Sequence, residues 1–408
     1  GWLRGHLFSS YINALLTIIS ITFIWWLLSG LLPYIFLSVW NAGSLNECRE
    51  ISISTWGKSH GHACWAVIKD RWVQLLFGFY PAEFYWRPIL ALILLLVALA
   101  PILFSEVPRR LFIVSVAYPF VLPWLMWGGS IWSSVGVLLG FCIAYLVQKV
   151  TTPRFGSLTS IILAISSAFV WWNIILTPFS SSLGVFVPIG LESVVSRDFG
   201  GFMLALLIGV VALGCSLPIG ILLALGRQSN LIIVKALCVG FIELIRGVPL
   251  ITLLFVASTL LNIFLPPGTS FDIILRVMIM VTLFASAYMA EVIRGGLASI
   301  SRGQYEGADS LGLSYWQAQR LIIMPQALKV SIPGIVNTFV GTFKDTTLVS
   351  IIGLMDPLGL SQGIRSNVEW NGIYWELFAF IALLYFVVCY SMSRYSMYLE
   401  RKLQTDRD

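Results

Sequence analysis

The chain has 408 residues, of which 58% are hydrophobic and 11% are charged. Soluble domains carry about 25% charged residues, so this composition excludes an ordinary soluble protein. The formal net charge is +6, but no basic cluster of the kind that binds nucleic acid is present, and the cations suit the cytoplasmic loops of a membrane protein. We therefore predict an all-α polytopic protein that lies in the lipid bilayer and does not bind nucleic acid.

Ten apolar runs are long enough, at roughly 17–25 residues each, to cross a bilayer as helices. They lie near residues 11–32, 88–105, 111–128, 131–149, 157–178, 200–226, 248–266, 272–293, 330–352 and 374–393. The first run is too long for a signal-peptide core and has no clear small-residue cleavage site, so we expect a membrane anchor. Because the sequence starts at Gly1 instead of Met, we also expect a short leader before it.

The positive-inside rule predicts that both termini lie in the cytoplasm of a bacterial inner membrane. This orientation places these cations inside: Arg109, Arg110, Lys149, Arg154, Arg227, Arg294, Arg302, Arg394, Arg401 and Lys402. The loop 33–87 is an exception to this orientation, because the loop would be periplasmic and yet carries five Lys or Arg residues. We accept this conflict, since long loops translocate largely regardless of their charge.

The loop 33–87 has two features that a periplasmic position would explain. Its apolar part, residues 65–80, is predicted to lie along the membrane surface as an amphipathic helix. Cys48 and Cys64 are a candidate disulfide, since disulfides persist in the periplasm. His60 and His62 lie nearby, so a metal site is conceivable, but the cysteines do not form a Cys-x2-Cys pair and we predict no metal.

The motifs of the chain begin near residue 197, which divides it into two predicted parts. Residues 1–196 form an extension of about five helices that includes the loop 33–87, and its Trp- and Phe-rich spans are typical of a lipid-facing scaffold. Residues 197–408 form a second five-helix part, and no internal repeat relates the two. The first span of this second part has three glycines that are expected to admit a close helix neighbour: Gly209, Gly214 and Gly220.

Two motifs in the second part combine a glutamate with an arginine three residues later, a spacing at which side chains meet on one helix face. Glu243 and Arg246 precede a Gly-Val-Pro turn, while Glu291 and Arg294 lie at the end of a span. We predict that both are structural ion pairs at the membrane surface. A direct role of the first motif in transport is the alternative.

Residues 301–325 are a polar stretch that predicts two short helices. The signals are a Ser-x-x-Gln capping box for each helix, a glycine for a left-handed helix end and a terminating proline. They are Ser301 with Gln304, Ser314 with Gln317, Gly312 and Pro325. Each helix would have roughly ten residues, or about 15 Å, which is too short to span a bilayer. A hairpin that projects from a membrane protein in this way is typical of a docking device, and an ordinary surface hairpin is the alternative.

A polar stripe runs along the ninth predicted span. Counted from Pro333, Lys344 would lie near the bilayer midplane, where a charge costs on the order of 2.5 kcal/mol unless it faces protein or water. Polar or small residues recur every three to four positions, which places them on one face: Asn337, Thr338, Gly341, Thr342 and Asp345.

We predict that this stripe lines a substrate pathway. Asp345 could accept hydrogen bonds from an ammonium group, and Thr346, Thr347 or Lys344 could donate to a carboxylate. A closed Lys344–Asp345 ion pair that only holds the fold is the alternative.

No catalytic motif is visible in the sequence. It contains no Gly-x4-Gly-Lys-Ser/Thr phosphate loop and no His-Glu-x2-His. With three histidines in the whole chain, acid–base chemistry has few candidates. We predict that the chain is not an enzyme, has no catalytic residue and binds no cofactor of its own.

The polar hairpin resembles the EAA loop of ABC-importer permeases, which reads Glu-Ala-Ala, three residues, Gly, nine residues and Ile-x-Leu-Pro. The matching residues are Glu306, Ala308, Gly312, Ile322 and Pro325, while Gly307 replaces the middle alanine and Met324 replaces the leucine. From residue 198 onward the chain looks like a permease of polar amino acid importers. The long extension narrows this resemblance to the M-type permease of general L-amino acid importers.

The resemblance implies that residues 197–408 have the type I ABC-importer permease fold and that Glu306, Gly307, Ala308, Gly312, Ile322 and Pro325 couple it to an ATPase. In this family a periplasmic binding protein delivers the L-amino acid and a homologous permease pairs with the chain. Two ATPase subunits, which bind ATP and Mg, dock on the EAA loop in the cytosol. The implied mechanism is alternating access, in which the hairpin transmits closure of the ATPases to the spans.

Two other classes of membrane protein remain as alternatives. An ion-coupled secondary transporter would be expected to have inverted repeats and paired broken helices. A membrane-embedded enzyme would need several intramembrane His, Asp or Glu residues that face one cavity, and only Asp345 qualifies well. Whether transport stops when the ATPase is removed distinguishes these classes from the importer permease.

Overall fold

The computed structural model describes residues 5–57, 61–260, 263 and 271–404. Helices dominate this part of the chain, and the short strands β1 (Gly129–Ser130) and β2 (Gly190–Leu191) pair antiparallel. The first helices are α1 (Tyr11–Phe36), α2 (Leu45–Trp56), α3 (Ala66–Phe77), α4 (Trp86–Leu103), α5 (Phe112–Trp127), α6 (Ile131–Val170) and α7 (Leu176–Phe186). They are followed by α8 (Gly201–Arg227), α9 (Ile232–Gly247), α10 (Leu250–Phe255), α11 (Ile273–Ala298), α12 (Arg302–Ser310), α13 (Tyr315–Ala318), α14 (Met324–Asp345), α15 (Pro357–Ser366) and α16 (Trp375–Gln404).

Eight helical segments of the described chain are long and apolar enough to cross a membrane, and a ninth span results if α9 and the segment Leu250–Thr259, bent by 102°, count together. One of the eight covers the 56 residues Ile131–Phe186, about 84 Å of helix against a hydrocarbon core of about 30 Å. This segment breaks at Gly156, where φ is 77° and ψ is 171°. Beyond the break, Trp171 Nε1 donates to the carbonyl of Gly136 at 2.7 Å, so the segment folds back as two arms. About ten spans result, and the predicted fold class is confirmed.

The described chain forms two compact units, one of residues 79–199 and one that combines residues 5–78 with the segment from residue 200 onward. The predicted division after residue 196 lies close to the end of the first unit. The predicted extension includes residues 1–78, whereas the described part of these residues packs with the C-terminal helices. The reason is a shared core that links α2 and α3 to α15 and α16: Val39, Cys48, Cys64, Ala66, Val67, Leu75, Leu360, Ile364, Trp370, Ile373 and Leu377.

The unit of residues 79–199 is tied together by hydrogen bonds from aromatic and basic side chains. The hydroxyl of Tyr80 donates to the carbonyl of Met126 at 2.8 Å. Arg87 is buried, lies 3.9 Å from the centre of the Phe84 ring and donates to the carbonyl of Glu192 at 2.7 Å. These contacts pair the Tyr80 hydroxyl and one guanidinium nitrogen of Arg87 inside an apolar helical unit, where buried polar groups are usually hydrogen-bonded.

The other unit is built on a bundle of α8, α11, α14 and α16. Helices α8 and α11 approach closely at Gly220, where a Cβ atom would lie 2.7 Å from the Met289 side chain. A Cβ at Gly209 would meet Phe343 at the same distance. Nothing lies within 4 Å of a Cβ at Gly214, so the third predicted glycine does not admit a close neighbour.

This bundle has two distinct ends. At the loop end, the start of α8 meets the end of α3, where a Cβ on Gly201 would lie 2.7 Å from the Leu75 carbonyl. At the hairpin end, α8 finishes at Arg227 and α14 begins at Met324. Helix α3 forms within the expected amphipathic segment 65–80, and one of its faces is buried against protein at the loop end.

Candidate functional site

The polar stretch folds into a hairpin of α12 and α13 whose turn is closed by Gly312. Gly312 has φ +69°, the left-handed conformation that favours glycine. The Leu313 N–H donates to the Ala308 carbonyl at 3.2 Å, and the Gly312 N–H donates to the Asp309 carbonyl at 2.9 Å. This pair of bonds is the Schellman pattern of a helix end. The glycine therefore fixes the direction in which α13 leaves the turn.

Of the two predicted capping boxes, the structure forms the reciprocal bond of the second. Gln317 Oε1 accepts a hydrogen bond from the backbone N–H of Ser314 at 2.9 Å. Ser301 makes no side-chain cap bond, and Gln304 Oε1 instead accepts from Gln326 Nε2 at 2.9 Å. The prediction of the first box is wrong because Gln326 competes for the same amide. Its bond to Gln304 ties α12 to the start of α14.

The predicted stop at Pro325 is also wrong. A π-helical turn, Gln319–Ile323, joins α13 directly to α14, and Pro325 lies in the first turn of α14. Proline is tolerated there because the first N–H groups of a helix have no intrahelical acceptor. The hairpin is therefore continuous with a membrane-spanning helix.

The outer face of the hairpin is apolar and exposed. Four large side chains on it are each more than half exposed: Leu311, Tyr315, Trp316 and Leu321. The rings of Tyr315 and Trp316 contact each other with centroids 5.3 Å apart. Glu306 and Gly307 are exposed beside them. Clustered exposed apolar side chains with a polar rim indicate a protein contact surface.

The inner face of the hairpin is fixed to the bundle by what we call the hairpin-end core. Its buried members are Ala224, Leu225, Ile242, Met289, Ala290, Ile293, Leu297, Ile323, Ala327 and Ile335. Tyr305 and Ile322 of the hairpin pack against them, and Ala308 is 1% exposed. A close-packed contact of this kind transmits displacement, since interiors have little free volume.

Glu291 forms the centre of an ion cluster, the Glu291 hub, beside this core. Its side chain is 17% exposed and contacts three arginines from three helices. Arg294 Nε donates to Glu291 Oε2 at 3.0 Å, Arg246 Nη1 lies 3.7 Å from the same oxygen, and Arg227 Nη1 donates to Oε1. Arg227 Nη1 also donates to Glu243 Oε1 at 3.1 Å. The hub therefore joins the ends of α8, α9 and α11.

The hub differs from the two predicted ion pairs. Glu291 and Arg294 pair as the spacing predicts, but Glu243 pairs with Arg227 and Arg246 pairs with Glu291. The expected Glu243–Arg246 contact is not among the ion pairs of the described residues, because each residue has a closer partner on another helix. The ion pairs of Arg227 were not predicted, although its position as a cation at the end of an apolar span could have indicated them.

The predicted polar stripe on α14 is divided between the protein interior and the surface. Thr342 is 3% exposed and Thr346 is fully buried. The Thr346 hydroxyl donates to the Phe343 carbonyl at 2.7 Å and lies 3.3 Å from the Tyr385 hydroxyl. Both threonines are therefore engaged with the bundle.

The other predicted pathway residues are at least partly exposed. Asn337 and Lys344 are exposed, while Asp345 and Thr347 are half-buried. Lys344 and Asp345 form no ion pair with each other in the described part of the chain, so the structure does not show the closed pair considered as an alternative. Lys344 lies in the last turn of α14, and an exposed lysine near a helix end faces water, the membrane interface or another protein surface.

At the loop end, the structure joins Cys48 of α2 to Cys64 by a disulfide, with the Cα atoms 6.0 Å apart. His62 stacks on Trp56 with centroids 4.6 Å apart, and His60 lies outside the described residues. Within the described ranges, no group of three or more His, Cys, Asp or Glu residues is arranged to hold a metal.

The sequence of this chain matches known transport proteins along its whole length. It is 55% identical over 406 residues to the glutamate/glutamine/aspartate/asparagine transport system permease protein BztC of Rhodobacter capsulatus, an alignment that covers 99% of this chain and 94% of that protein. The chain belongs to the family of amino-acid ABC transporter permeases. Residues 216–405 match the family described as the binding-protein-dependent transport system inner membrane component.

A second relative supports this membership. The inner membrane amino-acid ABC transporter permease protein YhdY of Escherichia coli K12 is 39% identical over 410 residues, which cover 100% of this chain and 93% of that protein. The chain is also similar to a chain in the crystal structure of an amino acid ABC transporter with histidines. The two sequences are 31% identical, the alignment covers 48% of this chain and 90% of that chain, and the TM-score is 0.44. The predicted family is confirmed, and the chain is a multi-pass permease of an ABC importer.

Proposed function

We propose that this permease takes up polar L-amino acids, with glutamate, glutamine, aspartate and asparagine as the first candidates. The substrate class follows from the name of BztC, the relative with 55% identity. The observation that carries the ATP-driven mechanism is the hairpin, which exposes an apolar outer face and buries its inner face in the hairpin-end core. The chain itself has no phosphate-binding loop, so ATP and Mg would bind to partner subunits.

We propose a partner for each of two faces of the chain. Two ATPase subunits dock in the cytosol, one on this hairpin and one on a homologous permease. A periplasmic binding protein delivers the amino acid at the loop end. This arrangement places both termini in the cytoplasm of the inner membrane.

The coupling step starts at Glu306 and Gly312, where the ATPase holds the hairpin. Closure of the ATPases moves the hairpin, and the hairpin-end core and the Glu291 hub carry α8, α9 and α11 with it. Because α13 continues into α14, the same movement reorients the outward face of α14. Asn337, Lys344 and Asp345 on this face contact the substrate or line its route, together with Thr347.

The test is uptake by proteoliposomes that contain the complete transporter. Labelled glutamate, glutamine, aspartate and asparagine are supplied with the binding protein, and ATP is enclosed on the ATPase side. We expect uptake of these four that requires ATP and competes with unlabelled members of the set. Uptake that continues without the ATPase subunits would instead establish a secondary transporter.

The hairpin itself is tested by Trp316→Ala. Loss of a large aromatic anchor at an interface typically costs more than about 2 kcal/mol, so we expect at least about a tenfold loss of ATPase binding. Trp72→Ala is the matched control, because Trp72 is an exposed tryptophan on α3 at the loop end. Equal effects of the two substitutions would contradict the docking role of the hairpin.

A further inference from the structure

A cavity of about 270 Å³ lies at the loop end, away from the hairpin and from the outward face of α14. Its walls come from the end of α1, from α2, from the chain around the Cys48–Cys64 disulfide and from the start of α16. Ligand pockets are usually somewhat larger, at about 300–1,000 Å³, so this cavity suits a molecule smaller than a typical drug.

One wall of the cavity holds a buried carboxylate. Glu376 is 6% exposed, and its Oε1 accepts hydrogen bonds from the Tyr34 hydroxyl at 2.9 Å and from the Cys64 N–H at 2.8 Å. In the described part of the chain, no cation pairs with Glu376. A buried carboxylate without a cation is costly, and both of its fixed hydrogen bonds use the same oxygen. The second oxygen is therefore available to accept from a ligand.

Another wall holds an arginine. Arg49 of α2 lines the cavity, is half-buried, and has no ion-pair or hydrogen-bond partner among the residues that the structure describes. By contrast, Arg71 pairs with Asp70 and Glu369, and three arginines contact Glu291 in the hub. The guanidinium group matches a carboxylate in two-point geometry.

We propose that this cavity binds a free amino acid as a zwitterion, with its ammonium group at Glu376 and its α-carboxylate at Arg49. The opposite charges line one small space without pairing with each other, which leaves room for a ligand that carries both complementary charges. The walls of Val39, Leu45 and Ile373 give the side chain an apolar surround. The charges define the site by themselves, and the choice of an amino acid as the zwitterion rests on the proposed function.

The disulfide holds this site together. Cys48 adjoins Arg49 on α2, and the backbone N–H of Cys64 binds Glu376. The bond therefore fixes the arginine wall relative to the carboxylate wall. Reduction is expected to weaken the site without removing either charged group.

The experiment measures equilibrium binding of labelled glutamate and glutamine to the purified transporter without binding protein. Arg49→Gln and Glu376→Gln are each expected to weaken binding by about tenfold to a hundredfold, the usual worth of a hydrogen bond to a charged group. The amide of Glu376→Gln keeps an oxygen that can accept from Tyr34 and Cys64, so this variant removes the charge with little change to the fold. Arg49→Lys, which keeps the charge, should lose less than Arg49→Gln.

The matched control is Arg110→Gln, a substitution of an exposed arginine outside the cavity, which should bind as the unaltered protein does. Saturable binding that neither cavity variant weakens would overturn the proposal, as would the absence of saturable binding. A second zwitterion source is a phosphatidylethanolamine headgroup. Preparations in phosphatidylcholine nanodiscs exclude it, and saturable amino-acid binding that is lost when phosphatidylethanolamine is added would assign the cavity to the lipid headgroup and overturn the proposal.

Uptake by proteoliposomes separates this site from the proposed function. If the cavity variants lose binding while the transporter still shows ATP-dependent uptake, the site and the function are both supported. If the four candidate amino acids are not taken up but still bind with the expected loss in both variants, the site stands and the proposed function fails.

Discussion

Two glycine-to-alanine substitutions in the hairpin are expected to have opposite effects. A Cβ atom at either Gly307 or Gly312 would meet nothing within 4 Å, so neither change causes a clash. What differs is the backbone. Gly307 lies inside α12, where alanine is favoured by about 1 kcal/mol. Gly312 has φ +69°, where a residue with a Cβ costs about 1–2 kcal/mol.

The two variants should therefore differ by about 2–3 kcal/mol in the stability of the folded hairpin. Hydrogen exchange of the purified transporter measures this difference at the two backbone amides that close the turn, those of position 312 and of Leu313. We expect exchange about 5–30 times faster in Gly312→Ala and about five times slower in Gly307→Ala, since about 1.4 kcal/mol is a factor of ten.

The functional consequence is read from ATP-dependent uptake. Gly312→Ala should lower uptake because the ATPase meets a hairpin that is less often folded, whereas Gly307→Ala should preserve or raise it. Gly312→Asn is a second control, because asparagine adopts the left-handed conformation more readily than alanine. Unchanged exchange in Gly312→Ala, or loss of uptake in both alanine variants, would refute the conformational argument.

Three further predictions concern stability and the polar face of α14. Asp356 lies in the connection after α14, and burial raises its pKa to about 6 from its usual 3.8. The folded state therefore favours the protonated acid. As a result, the contribution of Asp356 to the free energy of unfolding falls as pH rises from about 4 to 6. Asp356→Asn keeps an oxygen that can accept from the Gly359 N–H. It should stabilise the protein at pH 8 by at most about 3 kcal/mol and change its stability little at pH 4. Thermal unfolding at both pH values checks this, and a variant that is less stable than the unaltered protein at pH 8 would contradict it. Glu291→Gln should destabilise the protein by about 1–3 kcal/mol because three arginines lose their shared carboxylate. Glu243→Gln should cost at most about 1 kcal/mol, because the Glu243 side chain is 55% exposed in its pair with Arg227. Denaturant unfolding measures both free energies. Lys344→Ala should lower uptake without lowering the unfolding temperature, since Lys344 has no ion pair within the described chain; a fall in both would indicate a structural role.

The sequence predicts those parts of the fold that depend on local rules. The spans follow from the length of apolar runs, and the hairpin follows from Gly312 and from the box of Ser314 with Gln317. Pro325 does not end the second helix as predicted, but it does lie next to a change of helix type, where the π-helical turn passes into α14. These features depend on residues that are close together in the sequence.

Contacts between residues that are distant in the sequence could not be predicted in this way. The spacing of Glu243 and Arg246 allows a local pair, but Arg227 and Glu291, separated by 64 residues, provide better partners. Gln304 is likewise taken from its predicted cap by Gln326. The cavity at the loop end brings together Arg49 and Glu376 from opposite ends of the chain. Local spacing shows which pairs are possible, whereas packing decides among them.

The same packing indicates where the bundle can bend when the hairpin moves. Gly220 against Met289 and the Glu291 hub fix α8 to α11 at the hairpin end, and a close-packed contact resists relative sliding. Helices α9 and α10 instead meet at 102° across Val248 and Pro249. Proline has no N–H to continue the helical bonds, so this corner is held by fewer backbone bonds than a continuous helix. Hinges absorb rotation at the ends of elements, and we therefore expect residues 248–249 to take up the rotation that the hub transmits to α9.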